Sequence, residues 1–394
     1  MKNFLTNYCN EYSYKNTGTD NENFADFVNY LGEQIKDCRI YEDIGITSIN
    51  SACLLWQDSK FLVRNVALSN DKHYLTFEIP QSAICEGNAL LAIRDNNDKI
   101  IWSWHIWVYK PETDKTITNG SNVYKIMPSY LGYCHPRNRY YPEKTCYLKF
   151  TQTRTGYSKI VTIVLSKGEI ADVGNSVYYQ WGRKDPFPGQ LLDWKEDGKK
   201  DYFGAINKPV YDEHGMEIIS STIYEGRMSL SDAISNPQIQ AVTPNNNDVI
   251  WHTDIPNKAS NTWYENLWSV KYSTNKYITK SIYDPSPVGY SVPSSKTFGG
   301  MNSKIKKVSS ESFRVTLDIN GTELNLPWTL HRTYKGNYLT NSAETYEIDN
   351  FNIWVSAAEA YATLKPGAKR NLWVTTTSKI KNYALPLIVV QNSD

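Results

Sequence analysis

Residues Ile100–Tyr109 read I-I-W-S-W-H-I-W-V-Y, a run with bulky apolar side chains on both faces of an extended chain. Alternate side chains of a strand point to opposite sides. Trp102, Trp104 and Ile106 therefore share one face, and Ile101, His105 and Trp107 the other. Neither face can be left in water, so the pattern predicts a central strand covered on both sides. Four shorter candidate strands precede it: Ala52–Gln57, Leu62–Ser69, His73–Ile79 and Asn88–Arg94. Asp58-Ser59-Lys60 and Asp95-Asn96-Asn97-Asp98 supply turn chemistry between them. Short strands at this spacing predict a small β-sandwich over residues 45–112.

The flanking regions are less regular. In the N-terminal segment, residues 1–44, Asp20 can cap a short helix carrying Phe24, Phe27, Val28, Leu31 and Ile35 at helical spacing. Residues 110–121 read as a linker. Beyond it, Thr145–Thr153 and Lys159–Ser166 form a strand pair turned at Thr155-Gly156. Residues 190–227 read as irregular, Met228–Ser235 as a short helix ended by Pro237, and 245–300 as long loops anchored by Trp and Pro. Strand character returns at Ser312–Leu317, Asn352–Ser356, Asn371–Thr376 and Leu385–Val390.

Charge and cysteine usage exclude several classes. Lys plus Arg total 42 against 41 Asp plus Glu, so the net charge of +1 argues against a broad nucleic-acid or anionic-membrane footprint. No apolar run of about 18 residues is present to span a membrane. The N-terminal M-K-N-F-L-T-N-Y-C-N-E-Y carries no apolar run of signal-peptide length, which leaves a cytosolic chain or one without its export segment. Cys9, Cys38, Cys53, Cys85, Cys134 and Cys146 all lie early and form no C-x-x-C, so a zinc ribbon or thioredoxin site is not expected.

The search for chemistry gives few candidates. Phosphate-binding glycine loops, the nucleophile elbow and H-E-x-x-H are all missing from the sequence. No two histidines sit four residues apart, and His105 reads as a satisfied core histidine. His252 and Asp254 would share a strand face, either as an acid/base pair or as a surface turn. Asp185, Asp254 and Asp284 can offer oxygen to Ca²⁺, or bond turn amides. Trp251, Trp263 and Trp268, with Asp254, form a candidate platform for a flat ligand such as a sugar ring; packing beneath the loops is the other reading. No catalytic residue, metal ligand or cofactor is assigned.

Three ordered segments carry a resemblance. W-S-W-H-I-W-V (Trp102–Val108, with Trp104 and Trp107), Y-Y-Q-W-G-R-K-D-P-F (Tyr178–Phe187) and S-I-Y-D-P-S-P-V-G-Y-S-V-P (Ser281–Pro293) resemble Bacteroidetes cell-surface proteins of the fimbrillin-like or fimbrial-tip-like kind. Their C-terminal part is similar to the Fibrobacter major paralogous domain. Trp181, Gly182, Arg183, Asp185 and Pro186 form one structural motif of the resemblance; Asp284, Pro285, Gly289 and Pro293 form the other.

The resemblance implies an α+β, β-rich chain: a small β-sandwich followed by a C-type-lectin-like mixed domain with long loops over residues 113–394. It also implies export, as an outer-membrane lipoprotein or secreted protein at the cell surface. Where many members carry a cysteine this chain has Ser286, and the terminal strand also lacks its cysteine, so both partners of that implied disulfide are missing together. Ser291 replaces a common arginine. Formylglycine-generating chemistry needs a cysteine pair in that fold, and none follows Cys146.

The expected function is therefore a non-enzymatic, adhesin-like protein that recognises a glycan or host surface protein, or joins other fimbrial subunits by strand addition. A ligand-free spacer and a glycan hydrolase with two carboxylates about 5–9.5 Å apart are the competing classes. Trp181 is expected to be buried, with Arg183 and Asp185 tied to each other or to nearby backbone.

Overall fold

The computed structural model describes residues 2–5, 27–35, 37, 39–43, 49–135, 137–172, 175–197, 200–219, 222–243, 251–252, 267–268 and 280–298, and shorter stretches within 303–391. It is β-rich, with several antiparallel sheets and almost no helix, and no lectin-like domain is identified in it. The described chain forms two compact units, Met1–Cys134 with Asn175–Asp394, and His135–Gly174.

The main sheet of the larger unit runs, edge to edge, Glu217–Ile218, Val210–Tyr211, Ser51–Gln57, Gly87–Arg94 and Ile100–Val108. Gly87–Arg94 is an interior strand, paired with Ser51–Gln57 on one side and with Ile100–Val108 on the other. Ala89, Leu90, Leu91, Ala92 and Ile93 are all buried, as an apolar run with cover on both faces requires. The hairpin to the next strand is set by Asp95, whose Oδ1 accepts from the amides of Asn97 and Lys99, both at 2.9 Å.

Three expectations are corrected here. The tryptophan-rich strand is an edge of this sheet among the described residues, not its centre. Its two faces are covered by other parts of the chain instead: on one, Ser103 meets Asp185 and His105 meets Tyr179, and on the other Trp102 lies against Tyr283 and the Lys184 ammonium. The helix expected to run through Val28, Leu31 and Ile35 is a turn over residues 27–35, with Val28 bridged to Gln34. Asn29 is the cause. Its Oδ1 accepts from the amides of Leu31 and Glu33, and Gly32 takes φ +82°, so local side-chain bonding displaces the helical ladder. Phe27, Val28 and Ile35 are still buried. Residues 20–26 lie outside the described residues. The expected linker contains a hairpin, Lys115–Asn119 with Asn122–Ile126, turned at Gly120 and anchored by buried Ile117 and Tyr124.

Residues 190–227, read as irregular, contain the antiparallel pair Gln190–Asp197 and Lys200–Asn207. Thr222–Glu225 pairs in parallel with Ile239–Val242, and the crossover between them carries the helix Leu230–Ser235. That helix is capped at its start by Ser229, whose side chain accepts from the Asp232 amide. The hairpin Asn122–Ile126 also meets the end of the chain, where Val390 pairs with Ile126.

One apolar core runs through this unit from Phe27 to Val389 and holds Trp56, Trp102, Trp181, Trp251 and Trp268. The smaller unit is two antiparallel ribbons, Arg137–Tyr141 with Gly168–Asp172 and Lys144–Thr151 with Ser158–Leu165. The chain leaves the larger unit at Cys134 and re-enters it at Asn175, and those two residues bridge each other.

Two glycines separate close approach from turn conformation. A Cβ on Gly189 would lie 1.9 Å from the Ser176 carbonyl oxygen, whereas one on Gly120 would meet nothing within 4 Å but sits at φ +60°. Gly120→Ala is expected to cost about 1–2 kcal/mol, the conformational term alone. Gly189→Ala is expected to cost more than about 3 kcal/mol, because backbone must move. Urea unfolding of both variants checks the order, and equal losses would contradict it.

Candidate functional site

The densest chemistry lies in Tyr178–Gly189. Tyr178 and Phe187 exchange backbone hydrogen bonds at 3.0 and 2.8 Å and close the segment into a loop. Gly182, at φ +82°, turns the chain beside Leu267 and the Trp251 indole. Trp181 is fully buried. The indole N–H of Trp251 donates to the Trp181 carbonyl at 3.0 Å, and that of Trp268 to the Arg183 carbonyl at 3.1 Å. The Gln180 side chain acts as an extra strand residue, donating to Ala241 O at 2.6 Å and accepting from its amide at 3.3 Å.

Arg183 reaches the crossover. Its guanidinium donates to the carbonyls of Ala233 (3.2 Å), Asn236 (2.9 Å) and Ile239, and so satisfies acceptors at and beyond the helix end. Lys184 and Asp185 form a buried ion pair at 2.7 and 2.8 Å. The ammonium also donates to the Ser103 carbonyl (2.9 Å) and hydroxyl (2.6 Å), and lies 4.3 Å from the Trp102 ring centre. Burial pushes the Lys184 pKa down to about 8, although Asp185 opposes the shift.

A second polar line runs beneath the main sheet. Lys208 Nζ contacts Asp58 Oδ2 at 3.2 Å and Asn175 Oδ1 at 2.9 Å. Asp58 accepts from the amide and the side chain of Asn88, at 2.7 and 2.9 Å. Asn88 Nδ2 also donates to Gly132 O, so its Oδ1 is the acceptor facing His105 Nε2 at 3.0 Å. That orientation puts the imidazole proton on Nε2, and Nδ1 then accepts from the Tyr179 hydroxyl at 2.8 Å. Burial holds the His105 pKa down near about 3 and pushes that of Tyr179 well up. His105 is the satisfied core histidine that its strand position suggested.

The other candidates are placed as follows. Asp284 is buried and accepts from the amides of Ser286 (2.8 Å) and Val292 (2.9 Å), with its pKa raised by burial against the pull of Lys280. It is a turn carboxylate, and Pro285 and Pro293 are buried beside it while Gly289 turns the exposed tip at φ +81°. Trp104 is buried on the covered face of its strand; Trp107 stacks on Tyr109 and donates to Tyr133 O at 3.1 Å. Pro186 is buried between Asp185 and Phe187. Trp251 and Trp268 lie in the interior, so neither presents a ring face for a ligand in this conformation. Asp254 and Trp263 lie outside the described residues. His252 is exposed.

A cavity of about 10 Å³, room for about one water, lies between Arg183, Lys184, Asp185, the helix residues Leu230 and Ile234, and Tyr283. Among the described residues of its lining, Asp185 is the one carboxylate. Lysines with a depressed pKa serve as bases and Schiff-base formers, but the Lys184 ammonium already has Asp185 and both oxygens of Ser103 as acceptors. No group of three or more metal-ligating side chains occurs among the described residues, and no helix among them is long and apolar enough to cross a membrane.

The surface differs from this closed centre in the smaller unit. Along the ribbon of residues 144–165, Tyr147 is 70% exposed, Phe150 60%, Ile160 61% and Val164 56%. The sequence showed the strands and the turn but not this exposure. Comparison with family models, with curated proteins and with solved structures returns no match to the chain.

His105 supplies a pH test. Its folded pKa lies below the ordinary 6.5, so the unfolded chain binds more protons between about 6.5 and 3. The stability it contributes is complete above pH 6.5 and falls as pH drops through that window, by up to about 1.4 kcal/mol per pH unit. Unfolding free energies of the parent and of His105→Gln, compared from neutral to about pH 4, should show the variant with the flatter profile. Parallel profiles would contradict the half-buried, neutral imidazole.

Proposed function

We propose that this chain is a non-enzymatic binding protein of the cell-surface or fimbria-associated adhesin kind, and that it holds its partner through the exposed ribbon of residues 144–165. The observation that carries this reading is the contrast between its two chemically rich regions. Lys184 and Asp185 are engaged with each other and with Ser103 beside a cavity for about one water, and His105 and Tyr179 are engaged with each other and with Asn88. The ribbon, by comparison, leaves large apolar side chains in solvent on a unit of its own. Contiguous exposed apolar surface of this kind marks an interaction site.

The finer architecture, a small β-sandwich followed by a C-type-lectin-like domain, belongs to the same proposal. The pairing of Val390 with Ile126 supports it, because it joins the two ends of residues 113–394. Recognition of a glycan or host surface protein, export and outer-membrane attachment also stand within it.

A subunit role by strand addition is the second reading. Among the described residues, Lys144–Thr151 and Ser158–Leu165 pair only with each other, so each keeps one open edge.

The test is a binding screen of the whole chain against immobilised glycans, extracellular proteins and intact cells. Phe150→Ser combined with Ile163→Ser should weaken the interaction about tenfold or more, with the thermal midpoint unchanged. Binding that ignores both substitutions, or turnover of a glycan, would overturn the reading.

A further inference from the structure

We propose that the ribbon of residues 144–167 docks on an anionic lipid bilayer and lies in its interface. This inference rests on the binding role given above and specifies the surface bound.

The pairing register sorts the side chains. Cys146 faces Ile163, Leu148 faces Val161, Lys144 faces Leu165 and Phe150 faces Lys159. One side of the ribbon therefore carries Cys146, Leu148, Phe150, Val161, Ile163 and Leu165, with a lysine at each end. The other side alternates Tyr147, Ile160 and Val164 with threonines and Lys149. The ribbon is closed by its own bonds: Gln152 N donates to Tyr157 O at 2.8 Å, Gly156 N donates to Gln152 O at 2.9 Å, and Gly156 takes φ +69°. The apolar face is thus presented by a preformed hairpin.

Charge selects the occupant. Lys144, Lys149, Arg154, Lys159 and Lys167 fall in this stretch, and no Asp or Glu occurs between Lys144 and Lys167. The near-neutral whole chain conceals that local excess. Interleaved lysines are depleted from the cores of protein interfaces. A second copy would set the same cations against each other without a counter-charge, which disfavours it. An anionic bilayer accepts both components, apolar side chains below the headgroups and lysines among them.

Geometry sets the depth. Each strand has 8 residues, about 27 Å at the usual rise, and lies below the roughly 9–11 residues that a tilted membrane-spanning strand needs. Open strand edges are also not tolerated in hydrocarbon. The ribbon is therefore placed flat at the interface, with its apolar side down and its edges at headgroup level.

The experiment is co-sedimentation of the whole chain with vesicles of phosphatidylcholine alone, and with vesicles containing about one-third phosphatidylglycerol. Binding should require the anionic lipid and fall as salt rises. Lys144→Gln and Lys159→Gln, at the two ends of the apolar side, should each weaken it about fivefold, and Leu148→Glu with Val161→Glu should abolish it. The lysine variants leave the apolar face intact and keep the test independent of any folding defect in the glutamate variant. Absence of binding to either vesicle, or binding unchanged by these substitutions, would overturn the lipid assignment. If the chain then still binds cells or proteins through Phe150 and Ile163, the adhesin reading survives alone. Ribbon-dependent dimerisation without vesicle binding would place a second copy there and overturn the lipid assignment.

Discussion

Asn88 is the residue whose hydrogen bonds can be satisfied in one way only, and the polar interior is ordered from it. It is fully buried, its amide and side chain both face Asp58, and its remaining acceptor faces His105. An amide at such a position cannot flip without losing an acceptor for its NH₂ and setting two donors against each other. Its orientation therefore fixes the His105 tautomer, and the tautomer fixes the direction of the Tyr179 hydroxyl. Tyr179 lies at the start of the segment that carries Trp181, Arg183, Lys184 and Asp185, so this line of bonds connects the main sheet to the crossover helix.

Buried polar density of this kind is costly unless it is paired, and here Asp58, Asn88, His105, Tyr179, Lys184 and Asp185 each have a partner. Completion of the network removes the reactivity that the residue types suggest. A lysine with a lowered pKa and a histidine bonded to a tyrosine resemble the parts of an active site. Here the lysine bridges Asp185 to Ser103, and the imidazole is held neutral between an amide and a phenol. Large apolar side chains stand exposed along the ribbon Lys144–Leu165, where exposure carries a free-energy cost that binding would relieve.

Legibility in the sequence followed the range of the interactions. The strands from residue 51 to 108 were readable because their turns are local; Asp95 sets one by bonding amides two and four residues ahead. Burial of Trp181 and the tying of Arg183 were also readable, since aromatic and charged residues crowded beside prolines need fixed partners. The N-terminal turn was misread because Phe27, Val28, Leu31 and Ile35 match a helical stripe, while Asn29 and Gly32 between them favour a turn. The edge position of Ile100–Val108 was hidden because its cover comes from far along the chain, Lys184 and Asp185 at Ser103 and Tyr283 at Trp102. The line through Asp58, Asn88 and Lys208 joins residues 30 and 150 positions apart and has no local signal. The ribbon misleads in the opposite sense, because an apolar strand reads as buried wherever it lies.

The account stands on a closed, neutral polar centre, and the His105 ring reports on it directly. Nitrogen NMR of the imidazole should show a protonated Nε2 and a bare Nδ1 as a single tautomer at neutral pH. That state should persist well below the ordinary pKa of 6.5, towards about 3. A ring that averages between tautomers, or that titrates near 6.5, would contradict the account by showing that water and protons reach the centre.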